Sequence, residues 1–296
     1  MKRAGSLGGI ALALTSLACF AALDTTTKFI TLSVPVLVAL WCRYLFQVVA
    51  TTAIMLPLRG RALLHTQHPK FQALRAVLLL ACSGLAMISL KHLPVAEFTA
   101  IIMLTPLVIT LLAATRLGEK VSPLRWALVA GGFVGTLIII RPDSHVFGWS
   151  MLLPLILVGA NAWYQVLTSQ MAQTEEAATM HFYTGWIGLL LVTLTLPWVW
   201  VTPQTVSQWS GLLLMGFLGT VGHLLLIQAY AKAPASTLTP FLYAQIGFAL
   251  VGGWLMFSHV PDAWSLIGIG MIALCGAAGA WLAVREGRPP FEPPQT

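Results

Sequence analysis

Apolar runs of about twenty residues recur along this sequence from one end to the other, each long enough to cross ~30 Å of hydrocarbon. Lipid offers no water to a backbone polar group, so a spanning segment must be a helix or part of a closed barrel. The run lengths suit helices and not the alternating strands of about ten residues that build a barrel. Pro, Gly and charged residues divide the chain into ten segments: 6–32, 36–56, 72–90, 95–115, 124–140, 147–170, 180–200, 210–230, 236–257 and 263–284. Of the 296 residues 58% are hydrophobic and 8% charged, against about 25% charged in a soluble domain, which excludes a soluble fold. The expected fold is all-α and integral to the membrane, with ten transmembrane helices.

The net charge of +7 reflects orientation and not nucleic-acid binding, because the basic residues are scattered between apolar segments and form no basic face. With the N-terminus in the cytoplasm, most of the 16 Lys and Arg fall inside, among them Lys2, Arg3, Arg59, Arg61, Lys70, Arg75, Arg116, Lys120 and Arg125. Only Lys91 and Arg141 fall outside, and Lys28 and Arg43 remain within the membrane. Both termini are therefore expected in the cytoplasm. Lys2 and Arg3 ahead of an apolar run imitate a signal peptide, but the run is long and lacks a small-residue cleavage site, so it reads as the first helix. The proline-rich segment 287–296 reads as a disordered tail.

Cys19, Cys42, Cys82 and Cys275 all lie in apolar runs without ligand spacing, so neither a disulfide framework nor a metal site is expected. Walker A, HExxH and nucleophile-elbow patterns are absent, which argues against ATP-driven transport by this chain and against hydrolytic enzymes. Gly268-Ile269-Gly270 copies a dinucleotide-binding fingerprint in letters only, since no strand precedes it. No cofactor is expected.

Two helices carry matching polar stripes. Asp24, Thr27, Lys28 and Thr31 occupy one face of helix 1 at i, i+3, i+4 and i+7, and Asn161, Tyr164, Gln165 and Thr168 repeat that spacing on helix 6. Five helices separate them, so the second runs in the opposite direction, as inverted halves require. A Thr-Pro step also occurs in each half, at Thr105-Pro106 and Thr239-Pro240. The chain then divides into two five-helix repeats of inverted topology, residues 1–142 and 143–286.

This pattern resembles the drug/metabolite transporter superfamily, in its EamA-like branch. The resemblance rests on Trp41-Cys42-Arg43-Tyr44, on Pro94-Val95-Ala96-Glu97 through Thr105-Pro106 to Leu117-Gly118-Glu119-Lys120, and on Gly131-Gly132 with Gly135. Phe257-Ser258-His259-Val260 departs from the family, which usually shows Gly-Glu there. The resemblance implies a multi-pass inner-membrane carrier, with a central cavity bounded by helices 1, 3, 4, 6, 8 and 9 and access alternating between sides. It also implies solutes such as amino acids, nucleotide-sugars, polyamines, S-adenosylmethionine, riboflavin or exported metabolites.

Ionisable groups in hydrocarbon normally face a partner or a wet cavity. Asp24 is read either as half of an Asp24–Arg43 bridge, with Lys28 reaching outward, or as a proton-coupling carboxylate, with Arg43 or Lys28 anchoring a substrate carboxylate or phosphate. The candidate substrate-binding residues are Asp24, Lys28, Arg43, Asn161, Tyr164, Gln165, His223, Tyr230, Thr239 and Tyr243, and the candidate proton carriers are Asp24, Glu97 and His223. Gly131 with Gly135 and Gly185 with Gly188 read as packing or dimer faces. Charged groups concentrate in the first half and neutral polar groups in the second, which suits an amino-acid-derived or zwitterionic solute moved by a secondary carrier. Export is the favoured direction. The alternatives are an uptake carrier for a vitamin or S-adenosylmethionine-type metabolite, and a channel or structural membrane protein. The expected partners are the bilayer, the solute and protons, with the chain a monomer or homodimer.

Overall fold

The computed structural model describes residues 2–109, 122–140, 152–171, 174–232, 238 and 241–285. Its main helices are α1 (Lys2–Thr31), α2 (Val36–Arg59), α3 (Pro69–His92), α4 (Val95–Ile102), α5 (Pro123–Ile140), α6 (Leu153–Met171), α7 (Ala177–Thr193), α8 (Val206–Lys232), α9 (Ala244–Phe257) and α10 (Ala263–Arg285). All regular structure among the described residues is helical. Five helices are long and apolar enough to cross a membrane: those covering Leu7–Thr31, Val36–Leu64, Pro69–His92, Val206–Ala229 and Ala263–Leu282. The segment Leu117-Gly118-Glu119-Lys120, Arg141 and the tail 287–296 lie outside the described residues.

Local chemistry sets the boundaries. Pro35 and Pro94 stand at the N-caps of α2 and α4, and Pro69 opens α3, where a missing N–H costs no intrahelical bond. Gly60 ends α2 with φ 55, a conformation that a Cβ would disfavour. A reciprocal cap starts α8, with Thr205 Oγ1 accepting from the Gln208 amide and Gln208 Oε1 accepting from the Thr205 amide. Helix α4 is interrupted at Met103-Leu104, directly before the Thr105-Pro106 step, where proline can give no N–H to the preceding turn. The sequence reads helix 4 as a single apolar segment over 95–115, so the break is a local refinement of that reading.

The halves interlock. α1 packs on α8 and α9, while α6 packs on α3 and α4. α2 packs on α7 and α8, α7 on α2 and α3, and α5 on α10. Exchanging each helix for the one five places later maps these contacts onto one another, the pattern that two repeats related by a two-fold axis produce.

Glycines let the backbones meet. A Cβ on Gly135 of α5 would lie 2.9 Å from the Gly268 carbonyl oxygen of α10, and one on Gly268 would lie 2.5 Å from the Gly135 carbonyl oxygen. A Cβ on Gly188 of α7 would meet the buried Tyr44 ring at 2.5 Å, and one on Gly185 would meet Gln47 and Val48 at 3.3 Å. These glycines therefore serve packing within the chain. The glycine-rich run at Gly268 is accordingly a contact with α5. Outward, Trp198 is 82% exposed and Trp264 60%, as interfacial tryptophans should be.

The backbone contact at Gly135 and Gly268 cannot be relieved by a side-chain rotation. Gly268→Val should destabilise the protein by about 1–3 kcal/mol, as overpacking does. Gly247→Ala should leave the protein unchanged or slightly more stable, because nothing lies within 4 Å of the added atom and alanine favours a helix. Thermal unfolding of the two variants in detergent checks the contrast.

Candidate functional site

The polar residues of the interior join the halves at three levels. At one end of the bundle, Lys28 of α1 donates to the carbonyls of Leu90 and Leu93, 3.0 and 2.7 Å away, at the C-terminal turn of α3. Those carbonyls have no helical partner and carry the negative end of the helix dipole, so a cation there is favourable. The ammonium also lies 5.7 Å from the centre of the Phe257 ring and within electrostatic reach of Glu97. Lys28 thus turns inward to α3, where the bridge reading of the sequence had it reaching outward. Glu97, in the first turn of α4, meets His259 Nε2 at 3.0 Å across the halves, and its second carboxylate oxygen is buried without a hydrogen bond among the described residues. His259 is brought there by Ser258, whose left-handed conformation (φ 52) closes α9.

The middle level holds Arg43. It is 7% exposed and donates to Ser83 Oγ of α3 at 3.0 Å and to His223 Nε2 of α8 at 3.3 Å. It fits because α8 carries Gly219, where a Cβ would lie 2.9 Å from the arginine Nε. Asp24 is half-buried, accepts from Gln245 Nε2 at 3.3 Å, and feels Arg43 electrostatically. The Asp24–Arg43 bridge, one of the two alternatives the sequence leaves open, is not formed: each has its own neutral partner in the opposite half, and no ion pair within 4 Å joins them among the described residues.

The third level centres on Arg75, only 1% exposed. Its guanidinium donates to Thr168 Oγ1 at 2.9 Å, the Met180 carbonyl at 2.9 Å, Thr184 Oγ1 at 2.6 Å and Tyr164 Oη at 3.3 Å, and it stacks 5.3 Å over the Tyr164 ring. The charge count of the sequence assigns Arg75 to the cytoplasmic side and gives it no partner; the structure buries it in α3, where it clamps α6 and α7. Beside it, Gln47 of α2 donates to Nδ1 and to the carbonyl of His181 on α7, at 3.4 and 3.1 Å. Nearer the bundle end, Glu175 accepts from Thr66 Oγ1 and from the amides of Gln67 and His68, and Arg59 meets Glu176 at 2.5 Å.

The helix 6 stripe divides among these levels. Tyr164 and Thr168 serve Arg75, and Asn161 donates at 3.3 Å to Thr105 Oγ1, beside the break in α4. Gln165 is half-buried and makes no side-chain hydrogen bond among the described residues. Tyr243 lies over Gly276 of α10. Tyr230 is in α8 but its side chain is outside the described residues, as is Thr239. Asp24, Arg43, Glu97 and His223 stand at contacts between halves. The sequence reading passed over Arg75, Gln47, His181 and Gln245, although Arg75 already lay inside the apolar segment 72–90. His181, Thr184 and Gly188 also follow a helical spacing on α7.

Two stretches, residues 7–141 and 148–282, match the model of the EamA-like transporter family. A riboflavin transporter of Rhizobium johnstonii is 30% identical over 86% of this chain and 84% of its own length. An S-adenosylmethionine uptake transporter of Rickettsia bellii is 25% identical over 88% and 89%, and a pseudopaline exporter of Pseudomonas aeruginosa 26% over 61% and 64%. A solved crystal structure superposes with a TM-score of 0.65 at 19% identity, covering 96% of this chain and 99% of that one, and so shares the fold. These relatives are transporters and not enzymes. The chain belongs to the EamA-like transporter family and is a multi-pass metabolite transporter of the inner membrane.

Proposed function

We propose that this transporter is a secondary active carrier of a small organic solute, an amino acid or an amino-acid-derived zwitterion, with export as its direction and protons as the coupling ion. The proposed architecture is ten spans in two inverted halves, 1–142 and 143–286, with both termini cytoplasmic. The observation that carries this reading is the placing of polar contacts between halves at both ends of the bundle, Glu97 to His259 at one and Arg75 to α6 and α7 at the other. Rocking of one half against the other exchanges such contacts end for end, and this is how access alternates. Asp24 supports proton coupling: it is an intramembrane carboxylate held by one neutral donor, and its protonation removes a costly charge.

A second reading, uptake, is favoured by the name of one relative, an S-adenosylmethionine uptake transporter. The exporter among the relatives favours the first. Counterflow in liposomes containing the purified chain tests for a carrier, using labelled amino acids, S-adenosylmethionine and flavins with and without a proton gradient. Accumulation of one compound is the expected outcome, and its absence with folded protein refutes the carrier reading.

Asp24→Asn should abolish acceleration by the proton gradient while counterflow persists; gradient-driven flux at the wild-type rate would refute the role of Asp24. Gln165 is the member of the helix 6 stripe left without a side-chain bond among the described residues, and so the one available to a solute. Gln165→Ala should raise the half-saturating concentration about fivefold, the worth of one hydrogen bond of ~1 kcal/mol. The concentration dependence of counterflow decides it.

A further inference from the structure

We infer that the carrier holds an anionic group of its solute, a carboxylate or a phosphate, at His181 between the buried guanidiniums of Arg43 and Arg75. This rests on the carrier reading and narrows its substrate class.

The interior here is rich in donors and poor in acceptors. Among the described residues Arg43 uses two of its five N–H donors, on Ser83 and His223. Arg75 bonds only neutral oxygens, from two threonines, a tyrosine and a backbone carbonyl, and no carboxylate lies within 4 Å of it among the described residues. Arg75 bonds the carbonyl of Met180, and the adjacent His181 is within electrostatic reach of both arginines. Its Nδ1 accepts from Gln47, one turn beyond Arg43 on α2, and Thr184, about one turn farther along α7, accepts from Arg75. With Nδ1 accepting, the ring proton is on Nε2. That atom is buried without a hydrogen-bond partner among the described residues, in a side chain only 4% exposed. Both arginines act on His181 and on His223 electrostatically, and Asp24 is the carboxylate that feels Arg43.

Among the described residues Arg43 thus feels one carboxylate, Asp24, and Arg75 has none within 4 Å. Neutral hydrogen bonds orient a guanidinium but do not cancel its charge, and an uncompensated buried charge is strongly unfavourable. A solute anion supplies both missing elements, a counter-charge for the arginines and an acceptor for His181 Nε2. Arg43 and Arg75 approach α3 about two turns apart, roughly 12 Å along its axis, at Ser83 and at Arg75 itself. They therefore bracket the anion and do not share one oxygen.

The test is thermal unfolding of the full chain in detergent, in sodium acetate and in sodium phosphate, each against sodium chloride at equal ionic strength. The wild type should gain about 3 °C from binding. Arg75→Gln and Arg43→Gln should lose that gain, whereas a general salt effect raises all three proteins equally. The salt giving the larger gain identifies the carboxylate or the phosphate arm. If Arg75→Gln does not fold, Arg75→Lys should keep the gain and His181→Gln should reduce it. No gain in the wild type with either salt, or the same gain in the variants, an adventitious ion only, overturns the inference. Counterflow of the same preparation keeps the two readings apart: counterflow without an anion gain refutes this inference alone, and an anion gain without counterflow refutes the carrier reading alone.

Discussion

A charge within hydrocarbon must carry its own solvation, and the polar contacts between the helices of this protein are arranged around that requirement. Lys28 is solvated by the carbonyl end of α3, Arg43 by a serine and a histidine, and Arg75 by two helices of the opposite half. Each of these side chains favours one distance between helices while the interior is dry, because a partner that moves away leaves a cation short of an acceptor until water enters. Apolar packing then fills around these points: Gly219 makes room for Arg43, and Gly188 accommodates the ring of Tyr44. In lipid such packing has no hydrophobic drive between helices, so close approach at glycine and polar contacts together decide which helices meet.

The fold was legible because its cause is coarse. Twenty-residue apolar runs and the prolines at Pro35, Pro69 and Pro94 place the helices within a few residues, and the matching stripes of helices 1 and 6 anticipate the exchange symmetry of the contacts. The site was legible in its membership and less so in its pairing. Asp24, Lys28, Arg43, Glu97 and His223 are conspicuous as polar groups in apolar segments, but which helix each one faces depends on rotation about the axis, and sequence spacing does not fix that. The partners of Arg75 were not legible for a related reason. It lies near the start of its segment, where a positive charge normally belongs to a loop, and its partners Thr168, Met180 and Thr184 stand some ninety to one hundred and ten residues away. His259 was noted as a departure from the family pattern, and the structure gives it a partner, Glu97 in the other half.

The character of the contacts between halves bears on movement. Many are hydrogen bonds between a charged and a neutral group: Gln245 to Asp24, Arg43 to His223, Arg75 to threonine and tyrosine. Bonds of this kind contribute roughly 1.5–3 kcal/mol each, and a neutral acceptor vacated by one donor can be satisfied by water entering an opening cavity. Fully buried ion pairs would resist separation far more strongly, since each would leave two unpaired charges. The pair Arg59 with Glu176 is exposed on both sides, where solvent already screens it. An interface held by many modest bonds, with few buried ion pairs among the described residues, suits the alternating access proposed above, in which one site is exposed to two sides in turn.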